Sequence, residues 1–551
     1  MTISIIKSPF PDVDIPSADL PTYFFEQMRQ FEEFTRKDSP RPLFVDGTKG
    51  STKSLTLDQL ETMANRLASG LYNVLGVRQG DVVAVVMPNS IYYPAILLAV
   101  LMVGATCTLA NPAYIARELN YQLAHSSAKF IIAASSLIPT VKEATAAAEL
   151  LLDQHVLVAD HTTGQSEEPV VLRSIFDVLS DADYPRVRLT SHESVSQTVA
   201  IIPYSSGTTG LPKGVKLSHY NFVSNIQQSV AIQRLYTSTY PRVCVAILPM
   251  FHIYGLLFLC FVPAIAGSST VVMPKFDMAQ FLTLVQTHQI TEAMLVPPII
   301  NALVKQNAAK EYDLSSLSWI TCGAAPLNTD TVRSLERMFD GIRLMQGYGL
   351  TEASPAIALS HPDSKNPSSC GKLVPNIEAM VIDDLGRALG TDEVGELCFR
   401  GPNVMTGYLN NDQATRETID SDGFLHTGDI GYIDEDGYVY VTDRKKELIK
   451  FNGFQVAPAE LEGILMQHPR VRDCAVFGVY DKSRQTEVPK AHLVLTADDK
   501  LDIQEPDDVA HRVVEWMNEQ VAYYKHLRGG YVVVDAIPKS ASGKILRRFL
   551  K

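Results

Sequence analysis

The chain has 551 residues, 46% hydrophobic and 20% charged, with 48 basic against 61 acidic side chains and a formal net charge of -13. That length exceeds one hydrophobic core, so it predicts a large body and a smaller domain of ordinary globular composition. The acidic balance, without a basic run, excludes nucleic acid or an anionic membrane as the general partner.

The start, MTISIIKSPFPDVDIPSADLP, has too short an apolar run for a signal peptide. Thr56-Leu57-Asp58-Gln59 has the form of a capping box and predicts a helix with Leu60, Met63, Ala64, Leu67, Ala68 and Leu71 on one face. Gly76 and Gly80 end it before a predicted strand, Val82 to Met87. No charge appears between Asp81 and Arg117, but Pro88, Pro94, Gly104 and Pro112 divide that stretch into a strand, a buried helix of about fifteen residues and a loop, too short for a bilayer span. Phe130 to Ala134 and His155 to Ala159 are further short strands between helical stretches, and the alternation predicts a doubly wound, mostly parallel sheet.

Thr198 to Pro203 is an apolar strand that runs into Ser205, Ser206, Gly207, Thr208, Thr209 and Gly210 and then Lys213. Glycines that let backbone N–H groups converge, hydroxyl donors and a mobile cation together describe a phosphate cradle. Its spacing is not that of a Walker A loop, and no GxGxxG occurs. Two later strands enter similar turns, Gly323-Ala324-Ala325-Pro326-Leu327 and Gln346-Gly347-Tyr348-Gly349-Leu350-Thr351-Glu352, and the three loops predict one crevice at the carboxyl edge of a sheet. From about Asn376 the pattern changes to short strands with Gly and Asp turns, among them a hairpin over Gly431 to Thr442. Its turn, Asp434-Glu435-Asp436-Gly437, lacks the spaced ligands of a calcium loop. The remainder reads as a compact α+β unit. The expected division is a large domain over 1–443 and a small one over 444–551. Seven scattered cysteines, never paired as Cys-x-x-Cys, read as buried free thiols of a reducing compartment.

Seven stretches in order, YSSGTTGLPKG, GAAPL, QGYGLTE, GELCFRG, HTGD, DRKKELIKFNGFQVAPAELE and PKSASGK, resemble the ANL superfamily of adenylate-forming enzymes, in particular 4-coumarate and related aryl- or acyl-CoA ligases. The resemblance runs from about Leu55 to Lys544. It implies that ATP activates a carboxylic acid as acyl-AMP, with loss of pyrophosphate, and that CoA then takes the acyl group. The alternatives are loading of a carrier-protein thiol and a luciferase-like oxidation of the adenylate. It further implies that the cradle, Ser205 to Gly210 with Lys213, holds the β- and γ-phosphates, that Glu352 with Thr208 holds Mg²⁺, and that Thr351 touches the α-phosphate. Tyr348, flanked by Gln346, Gly347 and Gly349, would face adenine beside Gly323 to Pro326, Asp429 and Arg444 the ribose, and Lys450 the AMP.

Lys544 would bridge the carboxylate and α-phosphate, with Lys446 as the hinge of a moving C-terminal domain. Gln455 would serve the acyl step, and Asn452 and Gly453 the pantetheine path, with Asn452 standing where relatives often carry Lys. His252 would gate the carboxylate where amino-acid-activating relatives place Asp, which disfavours an α-amino acid substrate. The implied acyl pocket is His252, Tyr254, Phe258, Gly323, Gly347, Gly349, Leu350, Ser354, Pro355 and Ala356, and the bulk of Phe258 predicts an aryl or medium-chain acid over a full phenolic propenoate. The last residues, Phe549-Leu550-Lys551, are no Ser-Lys-Leu address, so the expectation is a cytoplasmic protein, or a peroxisomal one if a targeting tail follows Lys551.

Overall fold

The computed structural model describes residues 5–30, 40–146, 151–160, 172–205, 211–235, 242–305, 311–323, 329–339, 341–360, 366, 369–451, 454–496, 506–540 and 543–550. Two sheets wound with helices form most of the body. In a seven-stranded sheet, Val82–Val86, Thr106–Ala110, Phe130–Ala133, Val156–Val158 and Val199–Ser205 run parallel, and Lys213–Ser218 returns antiparallel to the last of these. A nine-stranded sheet has Arg242–Ala246, Ser268–Val272, Glu292–Leu295, Trp319–Cys322 and Arg343–Gly349 as its parallel centre. The third element is an antiparallel five-stranded sheet that includes Glu378–Ile382, Gly395–Arg400, Leu425–Ile433 and Val439–Arg444.

Local chemistry explains why the helices start where they do. Thr56 accepts from Gln59 N–H while the Gln59 side chain returns to Thr56 N–H, so the expected capping box opens the helix Leu57–Gly70. The uncharged stretch divides differently from expectation. Its helix, Tyr93–Met102, has ten residues, all buried, and Gly104 at φ +80° turns the chain directly into the strand Thr106–Ala110. A run apolar on every side carries no period to separate helix from strand, and the left-handed turn at glycine decides the boundary. The acidic turn after Ile433 is a hairpin turn, closed by Gly437 N–H on Asp434 C=O at 2.9 Å.

One continuous core runs from Leu20 to Val439, and a second, over Ile449 to Leu527, belongs to a small unit. There the strands Val471–Asp481 and Thr486–Leu495 pair antiparallel, Tyr531–Val533 joins them in parallel, and the helices Pro458–Leu465 and Pro506–Glu519 supply apolar faces to that second core. Six of the seven cysteines are buried and all are free. No helix among the described residues is long and apolar enough to cross a membrane.

Candidate active site

The described residues of the three small-residue stretches meet at one cavity of about 500 Å³, but they do not share a sheet edge. Ser205 and Lys213, register partners at the end of their hairpin, come from the seven-stranded sheet, whereas Gly323 and Gly347 to Gly349 come from the nine-stranded one. The crevice therefore lies between two sheets. The five-stranded sheet supplies Asp429 and Arg444, and the small unit supplies Lys544.

On one wall Tyr348 donates its hydroxyl to Asp429 Oδ2 at 2.6 Å, while Arg444 Nε lies 3.2 Å from Asp429 Oδ1. Asp429 and Arg444 are register partners on adjacent strands, so the hairpin itself sets this pair. Burial raises the Asp429 carboxyl above its ordinary value against the opposing pull of Arg444, and it raises the Tyr348 phenol strongly. The neighbouring Gly349 is required by a close approach, since a Cβ there would sit 2.1 Å from Pro355 O.

The wall that carries Lys213 and Glu352 holds an arrangement that the sequence motifs did not indicate. Tyr408 donates to Glu352 Oε1 at 2.9 Å, and its ring lies 4.7 Å below Lys213 Nζ. The only sequence signal for Tyr408 is a Gly-Tyr pair shortly after GELCFRG, and nothing local ties it to a residue almost two hundred positions earlier.

The wall around His252 is organised by Asn89, which donates to Leu248 C=O and accepts from Met250 N–H, both at 2.8 Å, and so fixes the turn leading to His252. His252 caps the helical turn Ile253–Gly255, its Nδ1 accepting Tyr254 N–H at 3.3 Å, which leaves the proton of the neutral ring on Nε2. Burial, helped by the charge of Lys544, lowers His252 to about 4, so it is neutral at physiological pH. The rings of Tyr254 and Phe258 meet edge to face at 5.5 Å, and Gly323 gives Tyr254 room, since a Cβ there would lie 3.1 Å from its ring. The Tyr254 hydroxyl is buried and meets no hydrogen-bond partner among the described residues.

Lys544 closes the cavity from the far end of the chain. Ser540 N–H donates to Lys544 C=O at 2.7 Å, and Lys544 N–H to Ser540 Oγ at 3.1 Å. Burial and the nearby Arg444 lower Lys544 to about 8, against Glu447, Asp429 and Glu352, which favour its charge.

Comparison with known proteins decides the family. Residues 31–409 match the AMP-binding enzyme family, and residues 460–544 match the AMP-binding enzyme C-terminal domain. The chain belongs to this adenylate-forming family. It is 38% identical over 559 residues to the probable 4-coumarate–CoA ligase 1 of Dictyostelium discoideum, covering 99% of this chain and 97% of that one. It is 36% identical over 558 residues to 4-coumarate-CoA ligase 1 of Narcissus pseudonarcissus, covering 100% and 96%. The o-succinylbenzoate CoA synthetase of Bacillus subtilis, solved with its acyl-adenylate intermediate, superposes with a TM-score of 0.77 at 26% identity over 96% of this chain and 97% of that one. The protein is an AMP-forming acid–CoA ligase, which uses ATP to make an acyl-adenylate.

Most of the expected ligase residues line the cavity: Ser205, Lys213, His252, Tyr254, Phe258, Gly323, Gly347 to Glu352, Pro355, Ala356, Asp429, Arg444, Lys446 and Lys544. Ser354 does not. It is fully buried and gives its hydroxyl to Asn403 C=O at 2.8 Å, behind the wall that Pro355 and Ala356 form. Gln346 is also buried outside the lining. Lys450 is exposed, because the strand Ile449–Phe451 buries Ile449 and Phe451 and alternation turns Lys450 the other way. Gln455 is the register partner of Lys450 on the adjoining strand. Ser206, Gly207, Thr208, Thr209, Gly210, Ala324, Ala325, Pro326, Asn452 and Gly453 lie outside the described residues.

Proposed function

We propose that the ligase activates an aromatic carboxylic acid bearing a polar ring substituent and passes it to CoA. The observation that carries this reading is the buried, unpartnered hydroxyl of Tyr254 beside Phe258 in the cavity that Lys544 closes. Leaving such a hydroxyl unpaired costs about 1–3 kcal/mol, which a substrate hydroxyl or amine offsets. The flat, aromatic wall suits a ring over a flexible acyl chain.

In the first step a carboxylate oxygen attacks the α-phosphorus of ATP. One P–O bond forms, the bond to the departing pyrophosphate breaks, and acyl-AMP results. The Lys544 ammonium supplies a point charge where negative charge gathers on the transferring phosphoryl group. Lys213 and the cradle residues meet the leaving phosphates. Neutral His252 offers its Nε2 proton and no countercharge, so an α-ammonium group has no partner from it. Tyr348, Asp429 and Arg444 form the nucleoside wall, their mutual bonds holding the side chains ready before the nucleotide arrives.

The donor set fits a magnesium ion. Glu352 is a carboxylate on the cavity wall, and this ion needs only one or two carboxylates because phosphates and water complete its shell. Glu352, with Thr208, would hold it, and when bound it neutralises charge on the phosphates. In the second step the CoA sulfur attacks the acyl carbonyl, AMP leaves, and the thiol proton goes to solvent. For this step the small domain beyond the hinge swings about Lys446, withdraws Lys544 and presents Asn452, Gly453 and Gln455.

Pyrophosphate release over a panel of aryl, cinnamate, fatty and amino acids, with and without CoA and beside Lys544→Ala, tests the reading. Turnover on hydroxy- or amino-substituted aryl acids, thioester only with CoA, and loss of adenylation in the variant are expected. Preference for an aliphatic or amino acid overturns the substrate class.

A further inference from the structure

Lys213 and Glu352 carry opposite charges on the wall of one cavity, yet among the described residues no ion pair joins them, and each meets Tyr408 instead. Tyr408 stands between. Its phenol donates to Glu352 Oε1 at 2.9 Å, and its ring face lies 4.7 Å from Lys213 Nζ, within the range of a cation–π contact. Among the described residues no other hydrogen bond reaches the Glu352 carboxylate.

The backbone repeats this bridging. Met405 N–H donates to Glu352 C=O at 2.8 Å, while Thr406 N–H donates to Lys216 C=O at 3.0 Å and Leu409 N–H to Gly214 C=O at 2.8 Å. The strand Gly407–Tyr408 thus pairs with the strand that begins at Lys213, while the same segment holds the turn that carries Glu352. Tyr408 itself is buried, with Tyr408 N–H on Thr415 Oγ1 at 2.9 Å. A direct Lys213–Glu352 pair would neutralise both groups and leave neither for the triphosphate or its cation.

From this geometry we propose that Tyr408 is a positioning residue that keeps Lys213 and Glu352 apart and available to the same ATP–Mg²⁺ substrate, with one carboxylate oxygen engaged and the other open. The inference rests on the reading above that Glu352 meets the cation. It assigns the hydroxyl to the cation and the ring to the phosphates, two functions that separate experimentally.

Tyr408→Phe removes only the hydroxyl, and Tyr408→Leu removes the ring as well. Calorimetric titration of the full chain with ATP, in Mg²⁺ and in EDTA, reads binding without turnover. For Tyr408→Phe the expected result is about tenfold weaker ATP binding in Mg²⁺, the scale of one hydrogen bond to a charged group, with binding in EDTA unchanged. Tyr408→Leu also weakens binding in EDTA. In Tyr408→Phe the Mg²⁺ requirement for pyrophosphate release rises by the same factor, while thioester formation from a preformed acyl-adenylate and CoA stays at the wild-type rate. Equal losses in both half-reactions, or wild-type Mg²⁺ dependence in Tyr408→Phe, overturn the proposal. Glu352→Gln separates the levels. If it shifts the Mg²⁺ dependence and Tyr408→Phe does not, the positioning role alone fails; if it leaves that dependence unchanged, the placement of the cation fails and the inference with it.

Discussion

Arg547 Nη1 lies 2.7 Å from Glu447 Oε2, with both side chains 15% exposed. The same guanidinium reaches Glu462 Oε1 at 2.6 Å and Val476 C=O at 3.1 Å. Arg547 follows Lys544 by three residues, and Glu447 is next to Lys446. One side chain therefore ties the lysine loop to the segment expected to hinge and to the helix Pro458–Leu465. Arg547→Met should lower pyrophosphate release about a hundredfold by misplacing Lys544, because small displacements of a catalytic group carry penalties of that size. Thioester formation from a preformed acyl-adenylate should fall far less. Arg547→Lys keeps the charge, loses the forked geometry and should fall between the two.

The same cluster titrates near neutrality. Burial raises Glu462 to about 7 against the pull of Arg547, with Asp443 and Glu447 adding to the rise, and burial raises Asp443 to about 6. A carboxyl with a raised folded-state pKa binds its proton more tightly in the native state. Its stabilising contribution is complete below the ordinary 4.5 of Glu462 and is lost as pH rises through about 7. The wild-type melting temperature should therefore decline across that window, and Glu462→Gln, which cannot ionise, should show a shallower decline in thermal melts taken across it.

Lys544 behaves in the opposite sense. Its folded-state pKa is lowered from 10.5 to about 8, so the charge proposed to serve adenylation is lost as pH rises through about 8. Pyrophosphate release should fall above that pH, while thiolation of a preformed adenylate, in which the proposed mechanism gives Lys544 no part, should not show this limb. A depressed lysine contributes stability above 10.5 that is lost as pH falls through about 8. At neutral pH its burial is a cost, and Lys544→Met should melt no lower than the wild type while failing to adenylate.

What the sequence exposed and what it concealed follow from the range of the interactions involved. The loops around Lys213, Gly323 and Tyr348 are legible because each puts small and polar residues directly after an apolar strand, a local contrast. Their distribution over two sheets was not legible, since strand order depends on pairings such as Thr108 with Ile202 and Cys244 with Glu292, across dozens of residues. Ser354 looks like a pocket residue by its place after Glu352, and only the packing of Asn403 shows that its hydroxyl turns inward. Tyr408 is the fullest case, for its meaning lies in contacts with Glu352 and Lys213, both remote in the chain. The division of 82–110 failed for another reason: without a polar residue at regular spacing, helix and strand have the same pattern.

Substrate discrimination should rest on Tyr254 and Phe258 in separable ways. Tyr254→Phe removes the unpartnered hydroxyl and preserves the edge-to-face contact with Phe258 at 5.5 Å. If that hydroxyl bonds a ring substituent, the variant should lose about tenfold in kcat/KM toward the hydroxy- or amino-aryl acid and nothing toward the unsubstituted acid, a change of preference and not of overall rate. Phe258→Ala should act on size instead, admitting longer or bulkier acids that the wild type rejects, with its largest gain where the ring stands farthest from the carboxylate. Steady-state kinetics on a matched pair of substituted and unsubstituted acids checks both. A uniform loss across the pair in Tyr254→Phe would mean that the hydroxyl supports the wall and does not read the substrate, and that the polar substituent has to be recognised elsewhere in the cavity.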